Sequence, residues 1–173
     1  MHSTGFLSGR HSRWTKIWVA AFVLLVLNSV HAQEPSVACK LLQTAELESS
    51  LGGKTAKSSG YSKGDTHFCT VQVGSFKVLI RIANRQTSGG AVEQKGVEIA
   101  RAKGWKIEVK KEGDLTCSTA IPPTSAGQMG VNTTCSILHA GKVVAVEVTA
   151  PSEKEMASMD TVRKLVQKAG ARL

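Results

Sequence analysis

The sequence predicts an exported α+β domain: an antiparallel sheet of up to six strands with three helices packed on it and two disulfides. Three observations carry that reading. Phe68 to Asn84 alternates apolar and polar residues at period two around a Gly74-Ser75 turn. Four cysteines, Cys39, Cys69, Cys117 and Cys135, follow an N-terminal apolar stretch. The C-terminal residues carry an apolar stripe at helical spacing. Alternation at period two marks a half-buried strand, and steps of three and four mark an amphipathic helix.

The first 32 residues read as a removable leader. Arg10, Arg13 and Lys16 precede the apolar run Ile17 to Leu27, and Val30-His31-Ala32 offers small residues at the cleavage positions. The run is short against the roughly 20 apolar residues of a membrane span, so a cleaved leader is the expectation and an uncleaved N-terminal anchor the alternative; after cleavage no transmembrane span is expected. Residues 33–173 then form a single domain. Three basic residues leave with the leader; 22 less 3 gives 19 Lys and Arg against 13 Asp and Glu, a net charge of +6. That balance favours an anionic envelope component or an acidic protein as partner, or serves solubility alone. An even number of cysteines in an exported chain argues for disulfides. Of the three pairings, Cys39–Cys69 and Cys117–Cys135 close the shortest non-overlapping loops. No C-x-x-C spacing supports zinc, so no metal is expected.

Taken in order, Thr44 is the expected N-cap of a helix through Leu51, stopped by Gly52-Gly53. Lys54 to Thr66, rich in Lys, Ser and Gly, reads as a mobile loop tethered by the Cys39–Cys69 bridge. In the hairpin that follows, Val73 pairs with Phe76, Val71 with Val78 and Cys69 with Ile80, because Gly at the first of two loop residues suits a type II′ turn. Gln86 to Gly90 is a loop, and Ala91 to Lys103 a second helix weakened by Gly96. Trp105 to Ile121 is a hairpin turning at Glu112-Gly113-Asp114, with Trp105 assigned to the core. It ends at Pro122-Pro123, which cannot donate to a ladder. After the loop Thr124 to Gly130, Thr134 to Ala150 repeats the first hairpin's pattern, turning at Ala140-Gly141. Ser152 and Glu155 stand at capping-box spacing before the final helix, in which Met156, Met159, Val162, Val166, Ala169 and Leu173 share a face widened by Leu165, and Asp160 and Lys164 form a pair. Two Cys hairpins, each followed by a helix, read either as an internal ββα duplication or as two amphipathic hairpins that align by their common alternation.

Catalytic residues are not identified. His67 and His139 are the histidines outside the leader, and no nearby Ser or Asp motif supports either as a base. Gly53-Lys54-Thr55 resembles a P-loop end, but Glu48 stands where glycine is needed. Asn132-Thr133-Thr134 is a glycosylation sequon by pattern alone. The aromatics are too few for a stacking platform, so nucleic acid is not expected. No cofactor is implied. The candidate binding residues are Lys54, Lys57, Tyr61 and Lys63: basic, in a Ser/Gly-rich stretch, and carrying one aromatic.

Ala38-Cys39-Lys40-Leu41-Leu42, Ala45-Glu46-Leu47 and Leu51-Gly52, followed by a Cys-bearing hairpin, resemble the opening of small bacterial envelope proteins of the LpqN-like lipoprotein type, which share an outline with the PsbP-like α+β fold. Lys95-Gly96-Val97-Glu98 replaces the Gly-Leu-Gly-Asp-like turn of that pattern, and the lipobox is missing. The resemblance implies an exported domain in the periplasm or beyond and carries no enzyme activity with it. The expectation is a binding or assembly module, with an inhibitor or accessory subunit of an envelope enzyme as the alternative.

Overall fold

The computed structural model describes residues 36–85, 89–126 and 129–173, with backbone alone for 89–93. The leader at residues 1–32 and the side chains of Ala91 and Val92 lie outside the described residues. Helices α1 (Thr44–Leu51), α2 (Gly89–Ala102) and α3 (Met159–Gly170) accompany strands β1 (Thr55–Lys63), β2 (Thr66–Val73), β3 (Phe76–Asn84), β4 (Lys106–Glu112), β5 (Leu115–Ile121), β6 (Val131–His139) and β7 (Lys142–Ala150). All seven strands join one antiparallel sheet in the order β1-β2-β3-β7-β6-β5-β4. That is one strand more than the six expected. No described helix is long and apolar enough to cross a membrane.

The additional strand is β1. The stretch assigned to a mobile loop pairs with β2 from Lys57↔Gln72 to Lys63↔Thr66, closed by a Gly64-Asp65 turn. Its composition misleads because neither of its faces asks for large apolar side chains. One face is open. On the other, a short 3-10 turn, Val37–Lys40, lies against Gly60. A methyl group on Gly60 would stand 2.6 Å from the Ser36 Cβ and 2.8 Å from the Cys39 Sγ. Glycine is therefore what lets Cys39 descend onto β2 and bond Cys69, the residue opposite Gly60.

The central hairpin has the expected register, Val73↔Phe76, Val71↔Val78 and Cys69↔Ile80. Both disulfides pair as expected: Cys39–Cys69, and Cys117–Cys135 across directly opposed positions of β5 and β6. Gly64, Gly74 and Gly113 each open a two-residue turn with φ near +57°, at +56°, +56° and +58°. Such positive φ is cheap for glycine and fits the twist of a tight hairpin.

One core results. Val71, Val73, Val78, Ile80, Val144, Val146 and Val148 are buried on one sheet face, beneath Leu41, Leu42 and Leu47 on one side and Val162, Leu165, Val166 and Ala169 of α3 on the other. Helix α3 covers β5, β6 and β7. Arg172, just beyond α3, joins it to α1 through a two-pronged contact with Glu46 at 2.6 and 2.8 Å and donates to the Leu41 carbonyl at 2.7 Å.

Several local readings are corrected. Gln43, not Thr44, caps α1, its N–H bonded to the Glu46 carboxylate. Helix α3 starts at Met159 under a Ser158 cap; Ser152 instead precedes a 3-10 turn and donates to Glu155. The chain stays out of the helix at Ala157 because that residue is buried and its carbonyl accepts the buried Thr133 hydroxyl at 2.6 Å. Asp160 pairs with Arg163, 3.8 Å away, rather than Lys164, because Arg163 is also drawn to Glu112 at 2.9 Å. Trp105 is half-buried beside β4 rather than in the core. The two Cys hairpins share a register, but the ββα unit does not repeat. α3 packs over its own hairpin, whereas α2 meets the sheet at β4, and the place over β2 is taken by the N-terminal turn.

Two tests follow from this packing. Gly60→Ala should lower stability by about 1–3 kcal/mol through overpacking, whereas Gly96→Ala, whose new methyl meets nothing, should raise it by about 0.5–1 kcal/mol; denaturant midpoints compare them. Arg172's hydrogen bonds, aided by the Gln43 N–H, hold the Glu46 carboxyl down at about 2 from its ordinary 4.5. Folding lowers this pKa, so the contribution is complete above about 4.5 and lost as the pH falls toward about 2. Arg172→Ala should therefore lower the melting temperature at neutral pH, with the difference from the parent chain shrinking across that window.

Candidate functional site

The sheet has a second face, and among the described residues only Ala145 on it is buried. Period-two geometry assigns its side chains. From β1 come Lys57, Ser59, Tyr61 and Lys63; from β2, Thr66, Phe68, Thr70 and Gln72; from β3, Lys77, Leu79, Arg81 and Ala83. No acidic residue occurs among these twelve. Glu147, on β7 opposite Leu79, closes the basic region on its inner side.

One row across this face is Tyr61, Phe68 and Arg81, in register. The Tyr61 and Phe68 rings stack with centroids 4.7 Å apart and planes 15° from parallel. Tyr61 is 47% exposed, so a ring face or edge is available to a partner. Lys57, Lys63, Lys77 and Arg81 are exposed around the pair. Chemically, the arrangement offers ammonium and guanidinium donors to anionic groups and a flat apolar platform between them.

Of the four candidate binding residues, the strand brings three together. Lys57, Tyr61 and Lys63 point to the same side because they are an even number of residues apart. Lys54 stands apart, before β1, where its ammonium meets Glu48 at 3.1 Å. The same carboxylate accepts the Thr55 N–H at 2.8 Å, and these two bonds, the N–H first, lower its pKa. Phe68, Lys77 and Arg81 complete the face and were assigned only to strands. The signal for them was present in the alternation: they are the off-core positions of a hairpin whose register could be written down.

His67 and His139 are not brought together. His139 is exposed at the β6–β7 turn. His67 is half-buried, and its Nδ1 lies 2.7 Å from the Ser62 hydroxyl, its neighbour across β1 and β2. Asp65 and Asn84 flank this pair at a small cleft of about 170 Å³ with Lys142. Asp65 accepts from the Asn84 amide rather than orienting the imidazole. Among the described residues no side chain is hydrogen-bonded to the second ring nitrogen of His67, so Ser62 and His67 stand as a pair without a third group that fixes the imidazole. Asn132 of the sequon is half-buried within β6, and the adjacent Thr133 hydroxyl is engaged in the core. No cluster of three His, Cys, Asp or Glu that could hold a metal ion occurs among the described residues.

Compared with known protein families and with curated proteins, the chain matches no family model and no curated sequence.

Proposed function

We propose that this chain is an exported, non-enzymatic binding or assembly module of the bacterial cell envelope, and that its open sheet face meets an anionic partner. The observation that carries the reading is the acid-free basic region on β1, β2 and β3, with Tyr61 stacked on Phe68 at its centre. A sheet face that only needed solubility would intersperse both signs of charge. Two disulfides suit an oxidising compartment, and the apolar leader read at residues 1–32 supplies the route there. The opening resembling LpqN-like envelope proteins supports the same setting.

Exposed charge contacts weaken as the Debye length falls from about 10 Å at 0.1 M salt to about 3 Å at 1 M. The purified domain should bind a sulfated glycan or vesicles containing anionic lipid at low salt and release them as salt rises. Replacing Lys57, Lys63 and Arg81 together by Ser removes three cationic contacts at about 1 kcal/mol each, so affinity should fall about a hundredfold and the salt slope should flatten. Lys54→Ser, at a residue paired with Glu48, should change neither. Binding that ignores both salt and the triple substitution would refute an electrostatic interface on this face.

A further inference from the structure

The sheet ends in two edge strands, and they are not alike. In an antiparallel pair, alternate residues turn both main-chain groups toward the partner, and residues flanking a two-residue turn are such a pair. Lys63 and Thr66 flank Gly64-Asp65. Lys63, Tyr61, Ser59 and Lys57 therefore bond β2, and the N–H and C=O groups of Ser62, Gly60 and Ser58 point away from the sheet. No main-chain hydrogen bond reaches these three from outside the sheet among the described residues.

The same reasoning at the other edge gives a different result. Glu112 and Leu115 flank Gly113-Asp114, so Ile107, Val109 and Lys111 of β4 point outward. There the Arg101 guanidinium donates to the Ile107 carbonyl at 2.8 Å, α2 packs alongside, and charged residues crowd the strand, with Lys110 on Glu108 at 3.1 Å. Bound side chains and dense charge are how proteins blunt an edge. β1 has a bulge between Thr55 and Lys57, and from Lys57 to Lys63 it runs regularly. Its outward-facing residues are Ser, Gly and Ser, too small to obstruct an incoming backbone.

We infer that β1 is an acceptor edge for an extended acidic peptide segment of a partner protein, which adds an eighth, antiparallel strand and sets its acidic side chains against Lys57 and Lys63. This rests on the anionic-partner reading above and names the class of partner. Main-chain bonds at Ser58, Gly60 and Ser62 would supply affinity, and alternate side chains specificity. If the incoming residue opposite Lys63 is counted first, acidic residues belong at the first and seventh places and an apolar or aromatic residue at the third, beside Tyr61. A second copy of this chain is disfavoured as the occupant: two β1 strands paired about Gly60 would set Lys57 against Lys63 at both ends, between domains whose net charge without the leader is +6.

The test uses a synthetic peptide with Glu at the first and seventh places, Tyr at the third and Thr elsewhere. Calorimetry and the oligomeric state are read for the parent domain and for Ser58→Pro. Proline is tolerated at an edge position whose N–H faces solvent, so the variant should keep its fold and its glycan or vesicle binding while losing the peptide about tenfold, one main-chain bond being removed. N-methylation of the peptide at the second, fourth and sixth residues should abolish binding, whereas methylation at the third and fifth should not. A peptide that binds equally well with every amide blocked and to Ser58→Pro would overturn the edge inference and leave the basic face intact. A peptide that fails where the glycan or vesicles bind would overturn it too, leaving Lys57 and Lys63 as guards against edge-to-edge pairing. Failure of peptide, glycan and vesicles alike would remove the anionic-partner reading with it. Dimerisation of the free domain through β1 would replace the peptide by a second copy.

Discussion

The Cys39–Cys69 bridge is the constraint on which the rest of this architecture turns. It holds the N-terminal turn against the sheet at Gly60, where β1 carries no side chain. That placement brings Leu41, Leu42 and Leu47 over β2 and β3, so the left half of the sheet acquires a cover without a long helix of its own. The right half is covered by α3, and Arg172 and Glu46 join the two covers. The second disulfide links β5 to β6 within the sheet and leaves the layer above free for α3. Each bridge restricts the unfolded chain by an amount of about 3 kcal/mol. That matters where one sheet, covered on one face only, holds the large buried side chains on that face.

The one-sided core explains why the candidate surface is open. A seven-stranded sheet packed on one face presents the other as a broad, slightly twisted platform. Its composition is uneven. Lys57 and Lys63 of β1 and Lys77 and Arg81 of β3 flank β2, while Thr, Ser and Ala occupy much of β5 and β6. The Tyr61–Phe68 stack lies at the basic end, next to the β1 edge, which no other strand pairs among the described residues. Exposed positive charge and an edge strand thus coincide at one border of the sheet.

Legibility from sequence followed burial. The Gly74-Ser75 hairpin could be registered residue by residue because Val71, Val73, Val78 and Ile80 answer to the core, and a slip by one would turn all of them outward. β1 could not, because Thr-Ala-Lys-Ser-Ser-Gly-Tyr-Ser-Lys has no apolar alternation. Its small residues meet a disulfide on one side and solvent on the other, a tertiary cause invisible in composition. Three of the four candidate binding residues were named without the strand that aligns them, and Lys54 was named without the carboxylate that engages it. At the C-terminus, Ser152 and Glu155 do bond each other, yet the helix begins later because Thr133 reaches the Ala157 carbonyl across 24 residues of sequence. Local capping spacing cannot report a long-range hydrogen bond.

The central claim is that Lys57 to Lys63 is an ordered strand with one side paired and the other free. Amide hydrogen exchange of the free domain, resolved by residue, tests it directly. The amides of Ser59, Tyr61 and Lys63 should exchange slowly and those of Ser58, Gly60 and Ser62 rapidly, an alternation that neither a loop nor a covered edge produces. Uniformly fast exchange through this stretch would return it to a loop, and uniformly slow exchange would show the edge already occupied; either pattern would contradict the account.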